Sequence, residues 1–386
     1  MSGRARHLLY RPLFFCMACL LLSQLPLSSA PAKKMMPESP FEQEITAAAP
    51  RLLIILSPQY AHDPDIAVAL YRYTTAVYHD LQWTSMVRTL APEENKYRII
   101  DAIIEQQNNI SQLEACLMVG EDLDTALACD SGYMEQPSIT PWATTGGPSA
   151  YETTDDGIMC QSYTINICVS LLYPTHVLPY ETKKIEIISA LTKFTVQREV
   201  PITNGIRIFE NANLSASSHT MYQHLSCLAP CSYQADPTAA DVQQSLTEPC
   251  CALYMVHGHS TPSGTDLNTQ PHTVWFSADN LDRLRTTMFC ADGCYTGGWW
   301  SDAYDNNRLD PSIDSPWYGG KIFTSTTLHV MALGLLSQNG LSMPVSFLEN
   351  VLPQLLSGKT LAESMVGSCT IGDTIIVGDP TFHFIV

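Results

Sequence analysis

Apolar runs that alternate with amphipathic stripes set the pattern of the chain from residue 52 onwards. Residues 52–57 form a continuous apolar run that stops at Pro58, as is typical of a strand buried on both faces. Asp63 then caps a predicted helix, with Pro64 in its first turn. One face of that helix carries an apolar stripe made by Ile66, Ala69, Leu70, Tyr73 and Val77.

The same alternation continues to the C-terminus. Further strands are predicted at 83–87, 116–120, 165–173, 252–256, 286–291 and 374–378. Helices are predicted from the stripe Ile99, Ile100, Ile103, Ile104, over 180–197, and from the stripes Leu328, Met331, Leu335, Leu336 and Val345, Leu348, Leu352, Leu355, Leu356. Thr360 and Glu363 predict a capping box that starts one more short helix.

Strands that alternate with helices predict an α/β fold with a mostly parallel sheet flanked by helices. The stretch 137–157 is rich in Pro, Gly, Ser and Thr and is predicted to be a loop. A second loop-like stretch at 198–220 suggests two sub-domains, 51–200 and 201–386.

The N-terminus has the layout of a secretory signal peptide. Arg4, Arg6 and Arg11 precede an apolar run at 13–22, and small residues follow up to Ala32. That run is shorter than the about 20 residues that a membrane span needs. We therefore expect a signal peptide at 1–32, a leader or pro-segment at 33–50, and a secreted or periplasmic protein without a membrane span.

Charge excludes one class of partner. The 386 residues contain 20 Lys and Arg against 38 Asp and Glu, a formal net charge of -18. Such a chain lacks the basic surface that a nucleic-acid backbone requires. The sequence leaves the oligomeric state open.

Cysteine usage agrees with export. Eleven cysteines follow the predicted signal peptide, and disulfides are common in exported proteins. Because eleven is odd, the fullest pairing is five bridges and one free thiol.

Two predicted strands end in residues that suit nucleophilic catalysis. His257, Gly258 and His259 follow the run at 252–256, and Cys294 follows the run at 286–291. Reactive groups collect beyond the carboxyl ends of parallel strands, so neighbouring strands would bring imidazole and thiol together. An imidazole activates a thiol, and the backbone N–H groups of Cys294 and Gly258 are candidate oxyanion donors. The chemistry predicted is acyl transfer.

These blocks resemble the caspase-clan cysteine peptidases. More closely, "GCYTGGW" at 293–299 and "VGDPTFHF" at 377–384 are similar to elements of the gingipain-type family, and the resemblance extends over about residues 50–386. It implies a caspase/gingipain-like α/β fold and a secreted endopeptidase that needs no redox or nucleotide cofactor and no metal. Its partners would be protein or peptide substrates.

The resemblance also implies roles for single residues. Cys294 corresponds to the nucleophile, and His257 to the general acid/base because Gly258 follows it. The family has Gly-His-Gly where this chain has His-Gly-His, so His259 competes for that role. Asp155 corresponds to the position where the family has an acid of the primary specificity pocket. The resemblance therefore gives the hypothesis that the substrate carries a basic P1 residue.

Three alternatives stay open. "GHSTP" at 258–262 resembles a hydrolase nucleophile elbow with Ser260 as nucleophile and His383 as base, although Pro262 replaces the last glycine. A non-catalytic relative would act as a secreted binding or scaffold protein, with Trp299, Trp300, Trp317 and Tyr318 as a recognition surface. A zinc site would use Cys227, Cys231, Cys250, Cys251, His257 and His259, with spacing unlike common fingers.

Overall fold

The computed structural model describes most of the chain after residue 50. The described residues are 51–90, 113–120, 150–153, 159–172, 179–198, 200–201, 205–248, 251–261, 263–268, 274–292, 333–337, 345–367, 369–371 and 374–385. The predicted signal peptide and leader, the predicted helix at 99–104, Asp155 and Cys294 lie outside them.

The first half of the described chain contains short strands and two long helices. Its strands are β1 Leu52–Leu56, β2 Ser85–Thr89, β3 Ala115–Val119, β4 Ala150–Thr153, β5 Met159–Thr164, β6 Cys168–Leu172 and β7 Val200–Pro201. Its helices are α1 Pro64–Leu81 and α2 Tyr180–Val196.

The second half also contains strands and helices, and more of its strands pair in antiparallel fashion. Its strands are β8 Ile206–Glu210, β9 Cys231–Ala235, β10 Cys251–His257, β11 His259–Thr261, β12 Gly264–Asp266, β13 Trp275–Ser277, β14 Thr286–Asp292, β15 Leu333–Ser337, β16 Cys369–Ile371, β17 Thr374–Gly378 and β18 Phe384–Ile385. Its helices are α3 Ser215–Ser226, α4 Ala239–Ser245, α5 Val345–Leu356 and α6 Leu361–Met365.

Ten of these strands form one sheet, in the order β2-β1-β3-β6-β17-β15-β14-β10-β8-β9. All described pairs in this sheet are parallel except β15 with β17. The α/β fold with a mostly parallel sheet is thereby confirmed. The sheet runs across the predicted boundary near residue 200, and the division into two sub-domains stays a prediction.

The single antiparallel pair divides the sheet by strand direction. Because β14 is parallel to β15 and β17 is antiparallel to it, the carboxyl ends of β14 and β17 lie at opposite edges. The ends of β8, β10 and β14 share one edge, and the ends of β3, β6 and β17 share the other. Any site built at strand ends therefore belongs to one half of the sheet.

Local signals at α1 act as the sequence predicts. Asp63 is the N-cap, its carboxylate accepts the N–H groups of Asp65 and Ile66, and Pro64 is the first helical residue. The predicted apolar stripe is buried in full, since its five residues are the buried residues of this helix. The stripe belongs to the same buried hydrophobic core as β1, whose five residues are all buried, and the helix packs against α2.

Three predicted elements are wrong. The stretch 198–220, predicted to be a loop, contains β8 and the start of α3. Leu335 and Leu336, predicted to lie on a helix, belong to β15, because an apolar run without polar alternation suits either element. Residues 150–153 of the predicted loop at 137–157 form β4.

No helix within the described ranges is both long and apolar enough to cross a membrane.

Candidate functional site

A row of three buried polar side chains marks one edge of the sheet. Glu210 ends β8, His257 ends β10 and Asp292 ends β14, and the three strands are adjacent and parallel. His257 is the register partner of both carboxylates. Their exposed fractions are 0% for Glu210, 3% for His257 and 1% for Asp292. An imidazole therefore lies between two carboxylates at a strand-end edge, where reactive groups of parallel sheets collect.

His257 is fixed by its neighbours on both sides. Its Nε2 lies 3.6 Å from Oδ2 of Asp292, a distance typical of an ion pair when the ring is protonated. The backbone N–H of Asn211 donates to the His257 carbonyl at 2.9 Å. The imidazole therefore has a carboxylate at ion-pair distance, and the backbone of His257 is held by Asn211.

A tyrosine extends the row to the edge strand. Tyr233 lies on β9, beside β8. Burial, and after it the negative charge of Glu210, raises the pKa of Tyr233 to about 12. The tyrosine therefore stays protonated at neutral pH, with its ring close to the Glu210 carboxylate.

Gly258 is required by the packing of the backbone around it. A Cβ at this position would lie 2.1 Å from the carbonyl oxygen of Asp266, a distance that no side chain tolerates. The N–H of Gly258 donates to the carbonyl of Asp292 at 3.1 Å. This sheet hydrogen bond occupies the Gly258 donor in the structure, and the oxyanion role of Gly258 stays a prediction.

His259 lies in a different environment from His257. It starts β11, which pairs with β12 in a three-stranded antiparallel meander completed by β13. Its side chain is exposed, whereas His257 is buried beside Asp292. Of the two imidazoles, His257 is the one with an orienting carboxylate at ion-pair distance.

The predicted hydrolase elbow is not formed at Ser260. A nucleophile elbow is a sharp turn from strand to helix, whereas Ser260 lies within β11, in the meander. Its hydroxyl donates to the Gly258 carbonyl and to Thr265 Oγ1, both at 3.0 Å. His383, the predicted base, lies with Nε2 3.1 Å from Oδ2 of Asp80 on α1.

The predicted zinc ligands are separated along a strand. Cys251 starts β10 and His257 ends it, so the two are six residues, or about 20 Å, apart. No group of three or more His, Cys, Asp or Glu that could hold a metal ion occurs within the described ranges. Cys250 lies outside those ranges.

Several cysteines have free thiols in the structure. They are Cys116, Cys168, Cys227, Cys231 and Cys290. Burial, and after it the charge of Asp292, raises the pKa of Cys290 well above its ordinary value. Cys290 is therefore an inert core thiol rather than a second nucleophile. Disulfides among the other cysteines stay a prediction.

The Gly-Asp-Pro-Thr segment that follows β17 builds a second buried cluster. Asp379 Oδ2 accepts from Arg198 Nη1 at 2.7 Å, and its Oδ1 accepts from the Tyr73 hydroxyl at 2.6 Å. Thr381 donates to Oδ1 from both its N–H, at 2.9 Å, and its hydroxyl, at 2.7 Å. Arg198 also donates to Asp80 at 2.8 Å. In this chain the segment is a structural clamp that ties α1, β17 and the C-terminus together.

The two carboxylates that flank His257 are absent from the sequence-based predictions. Glu210 lies in the stretch predicted to be a loop, although "IRIFE" at 206–210 places apolar residues beside polar ones as a strand does. Asp292 lies between the apolar run and Cys294 and belongs to no motif of its own. The usable signal was shared position, since each carboxylate is the last residue of its strand.

No known family model matches this chain, and a comparison with curated proteins finds no significant match.

Proposed function

We propose that the protein is a cysteine endopeptidase that hydrolyses peptide bonds through Cys294 as nucleophile and His257 as general acid/base. The observation that carries the proposal is the in-register pairing of His257 with Asp292 at the carboxyl edge of β10 and β14. Nε2 of the imidazole lies 3.6 Å from Oδ2 of the carboxylate, within ion-pair distance, and a neighbouring carboxylate favours the charged ring that a general base becomes.

Chain connectivity supports Cys294 as the nucleophile. Cys294 follows Asp292 by two residues, so their Cα atoms lie at most about 7 Å apart. The Cα atoms of Asp292 and His257 are neighbours across adjacent strands, about 4.8 Å apart. The two distances together keep Cys294 within about 12 Å of His257, so a thiol and an imidazole can meet in this region.

The proposed reaction needs only proton transfers and one covalent intermediate. His257 takes the proton of the Cys294 thiol, and the sulfur attacks the peptide carbonyl carbon. The imidazolium then protonates the leaving amine as the C–N bond breaks, which leaves a thioester. A water molecule, deprotonated by His257, attacks the thioester carbonyl, and the proton returns to the departing sulfur.

The wider proposal follows the resemblance. It places the protein in the gingipain-like group of the caspase clan, assigns a basic P1 preference to Asp155, and predicts export to the periplasm or the cell exterior. The motifs at 293–299 and 377–384 and the mostly parallel sheet support this assignment.

The test is digestion of a mixed peptide library by the purified mature protein. We expect Cys294→Ala to abolish cleavage and His257→Ala to lower kcat/KM by about 10²–10⁴-fold. His259→Ala should stay within about threefold of wild type, because its exposed ring lacks the orienting carboxylate that His257 has. Ser260→Ala is the matched control for the hydrolase alternative and should retain most activity.

Cleavage that survives Cys294→Ala would contradict the proposal, and so would loss of activity in His259→Ala with His257→Ala unchanged. Mass spectrometry of the fragments also identifies the P1 residue of each cleavage. The hypothesis of a basic P1 preference would be wrong if Asp155→Asn cleaved after the same P1 residues as wild type.

A non-catalytic binding protein is the second candidate function, and one observation favours it. The Gly258 N–H is bonded to the Asp292 carbonyl, so one predicted oxyanion donor is occupied. A folded wild-type sample that cleaves no library peptide and resists a thiol-directed peptidyl probe would support this candidate.

A further inference from the structure

We propose that Asp292 is a positioning residue for His257, whose carboxylate stabilises the positive charge that the imidazole gains when it accepts the Cys294 proton. This inference rests on the proposed function and names a residue that the sequence pattern did not indicate.

Geometry gives Asp292 an electrostatic role. Its Oδ2 lies 3.6 Å from Nε2 of His257, beyond the range of a normal hydrogen bond and within the range of an ion pair. The two side chains are 1% and 3% exposed, so water screens their attraction weakly. The pair is therefore stabilising when the ring is charged, which is the state that forms with the thiolate.

The backbone of the same residue holds the segment after the imidazole. The Asp292 carbonyl accepts the Gly258 N–H at 3.1 Å, while Asn211 binds the His257 carbonyl from the other side. Both residues of the pair end strands in the middle of the sheet rather than lying on a loop. Rigid elements of this kind keep catalytic groups in a fixed geometry.

Other ionisable groups surround the pair. Glu210 is the register partner of His257 on β8, and Tyr233 on β9 lies close enough for the charge of Glu210 to raise the pKa of its hydroxyl. Asp266 on β12 is buried next to Gly258, and Cys290 lies two residues before Asp292 on β14. His259 on β11 is exposed. The carboxylates add to the negative field at His257, and the test has to isolate the part due to Asp292.

The experiment measures thiolate formation at Cys294 directly. Iodoacetamide alkylation is followed from about pH 5 to 10, and the peptide that contains Cys294 is quantified by mass spectrometry, with Cys294→Ala as blank. Wild type should show a midpoint below the value of about 8.5 of an ordinary thiol. In Asp292→Asn the midpoint should rise by about one pH unit, which corresponds to a tenfold smaller equilibrium constant for thiolate formation.

Steady-state kinetics on the best library peptide give the second readout. We expect kcat of Asp292→Asn to fall about tenfold or more with KM within about twofold, because the carboxylate acts on the charged ring and not on the peptide. Asp292→Glu keeps the charge and should retain a low alkylation midpoint. Asp379→Asn, at the opposite edge, is the matched control, and its alkylation midpoint should stay at the wild-type value.

The outcomes separate the two proposals. If Asp292→Asn keeps the wild-type midpoint and kcat while wild type cleaves peptides, the role of Asp292 is wrong and the proposed function stands. If wild type shows the midpoint of an ordinary thiol and cleaves nothing, the proposed function fails. If Asp292→Asn does not fold, the folded Asp292→Glu variant replaces it in the test. An alkylation midpoint like that of an ordinary thiol in Asp292→Glu, while wild type is active, would overturn the role of Asp292 and leave the proposed function standing.

Discussion

Two buried carboxylates at opposite edges of the sheet have partners of different kinds. Asp379, after β17, pairs with Arg198 at 2.7 Å, and Asp292, at the end of β14, lies 3.6 Å from His257. The two carboxylates are 2% and 1% exposed, so burial does not distinguish them. The partner does, because a guanidinium is always charged whereas an imidazole gains and loses its proton near neutral pH.

This difference gives the two carboxylates different roles, because the partner of Asp379 keeps its charge whereas the partner of Asp292 can exchange a proton. Burial alone would favour the neutral form of Arg198, but Asp379, Tyr73 and Asp80 outweigh it and raise the pKa of Arg198. A guanidinium stays protonated at neutral pH, so the pairing of Arg198 with Asp379 can only stabilise the fold. The partner of Asp292 at the other edge is an imidazole, the kind of group that accepts and donates protons in catalysis. Buried charge therefore indicates catalysis only when its partner titrates.

The largest expected effect is on the Asp379 cluster. Asp379→Asn removes the charge that pairs with buried Arg198 and turns one acceptor into a donor. We expect a loss of about 3–5 kcal/mol in the free energy of unfolding, measured by urea denaturation. Asp292→Asn should lose less than half of that, because its imidazole partner can become neutral. Equal losses in the two variants would contradict the distinction between the clusters.

A glycine substitution tests the packing at the His257 edge. Gly258→Ala places a Cβ 2.1 Å from the Asp266 carbonyl oxygen, which belongs to the backbone. We expect a cost of about 1–3 kcal/mol by the same denaturation assay. Gly264→Ala is the matched control, since its Cβ would also lie 2.1 Å from an atom, here Nε1 of Trp275. That indole is 45% exposed and can move aside, so an equal or larger cost for Gly264→Ala would contradict the argument.

The smallest effect concerns pH at the Asp379 cluster. Burial, and after it the charge of Asp379, raises the pKa of Tyr73 well above its ordinary value of 10. Its stabilising contribution is thus present below pH 10 and lost as the pH rises, because the unfolded chain releases the proton first. Tyr73→Phe should cost about 1 kcal/mol near pH 8 and should lose less further stability than wild type near pH 11. If the urea midpoints of wild type and Tyr73→Phe differed by the same amount at both pH values, the pH-dependent contribution of Tyr73 would be refuted.

Prediction from sequence succeeded where the signal is local. The Asp63 cap and the buried stripe of α1 are as expected, and Thr360 and Glu363 form the predicted capping box. It failed at β8 and β15, where the choice between loop, helix and strand depends on pairing partners far away in the chain. β15 becomes a strand between β14 and β17, and β8 becomes a strand between β9 and β10.

The candidate site shows the same division. His257 was predicted from the end of its apolar run, and its preference over His259 gains support from the buried contact with Asp292. Glu210 was not predicted, because a single carboxylate in an acidic chain carries no local signal. Its position in the site follows only from the strand register, which makes Glu210 the neighbour of His257 on the adjacent strand.

The sequence by itself determined the caps of α1 and α6, the buried strand β1 and the placement of His257 after an apolar run, because each depends on residues within a few positions of one another. Tertiary structure alone decided that Glu210, His257 and Asp292 meet, and that Asp379 lies at the opposite edge. Strand order and direction arise from hydrogen bonds between segments up to about 200 residues apart, for which no short stretch of sequence holds the information.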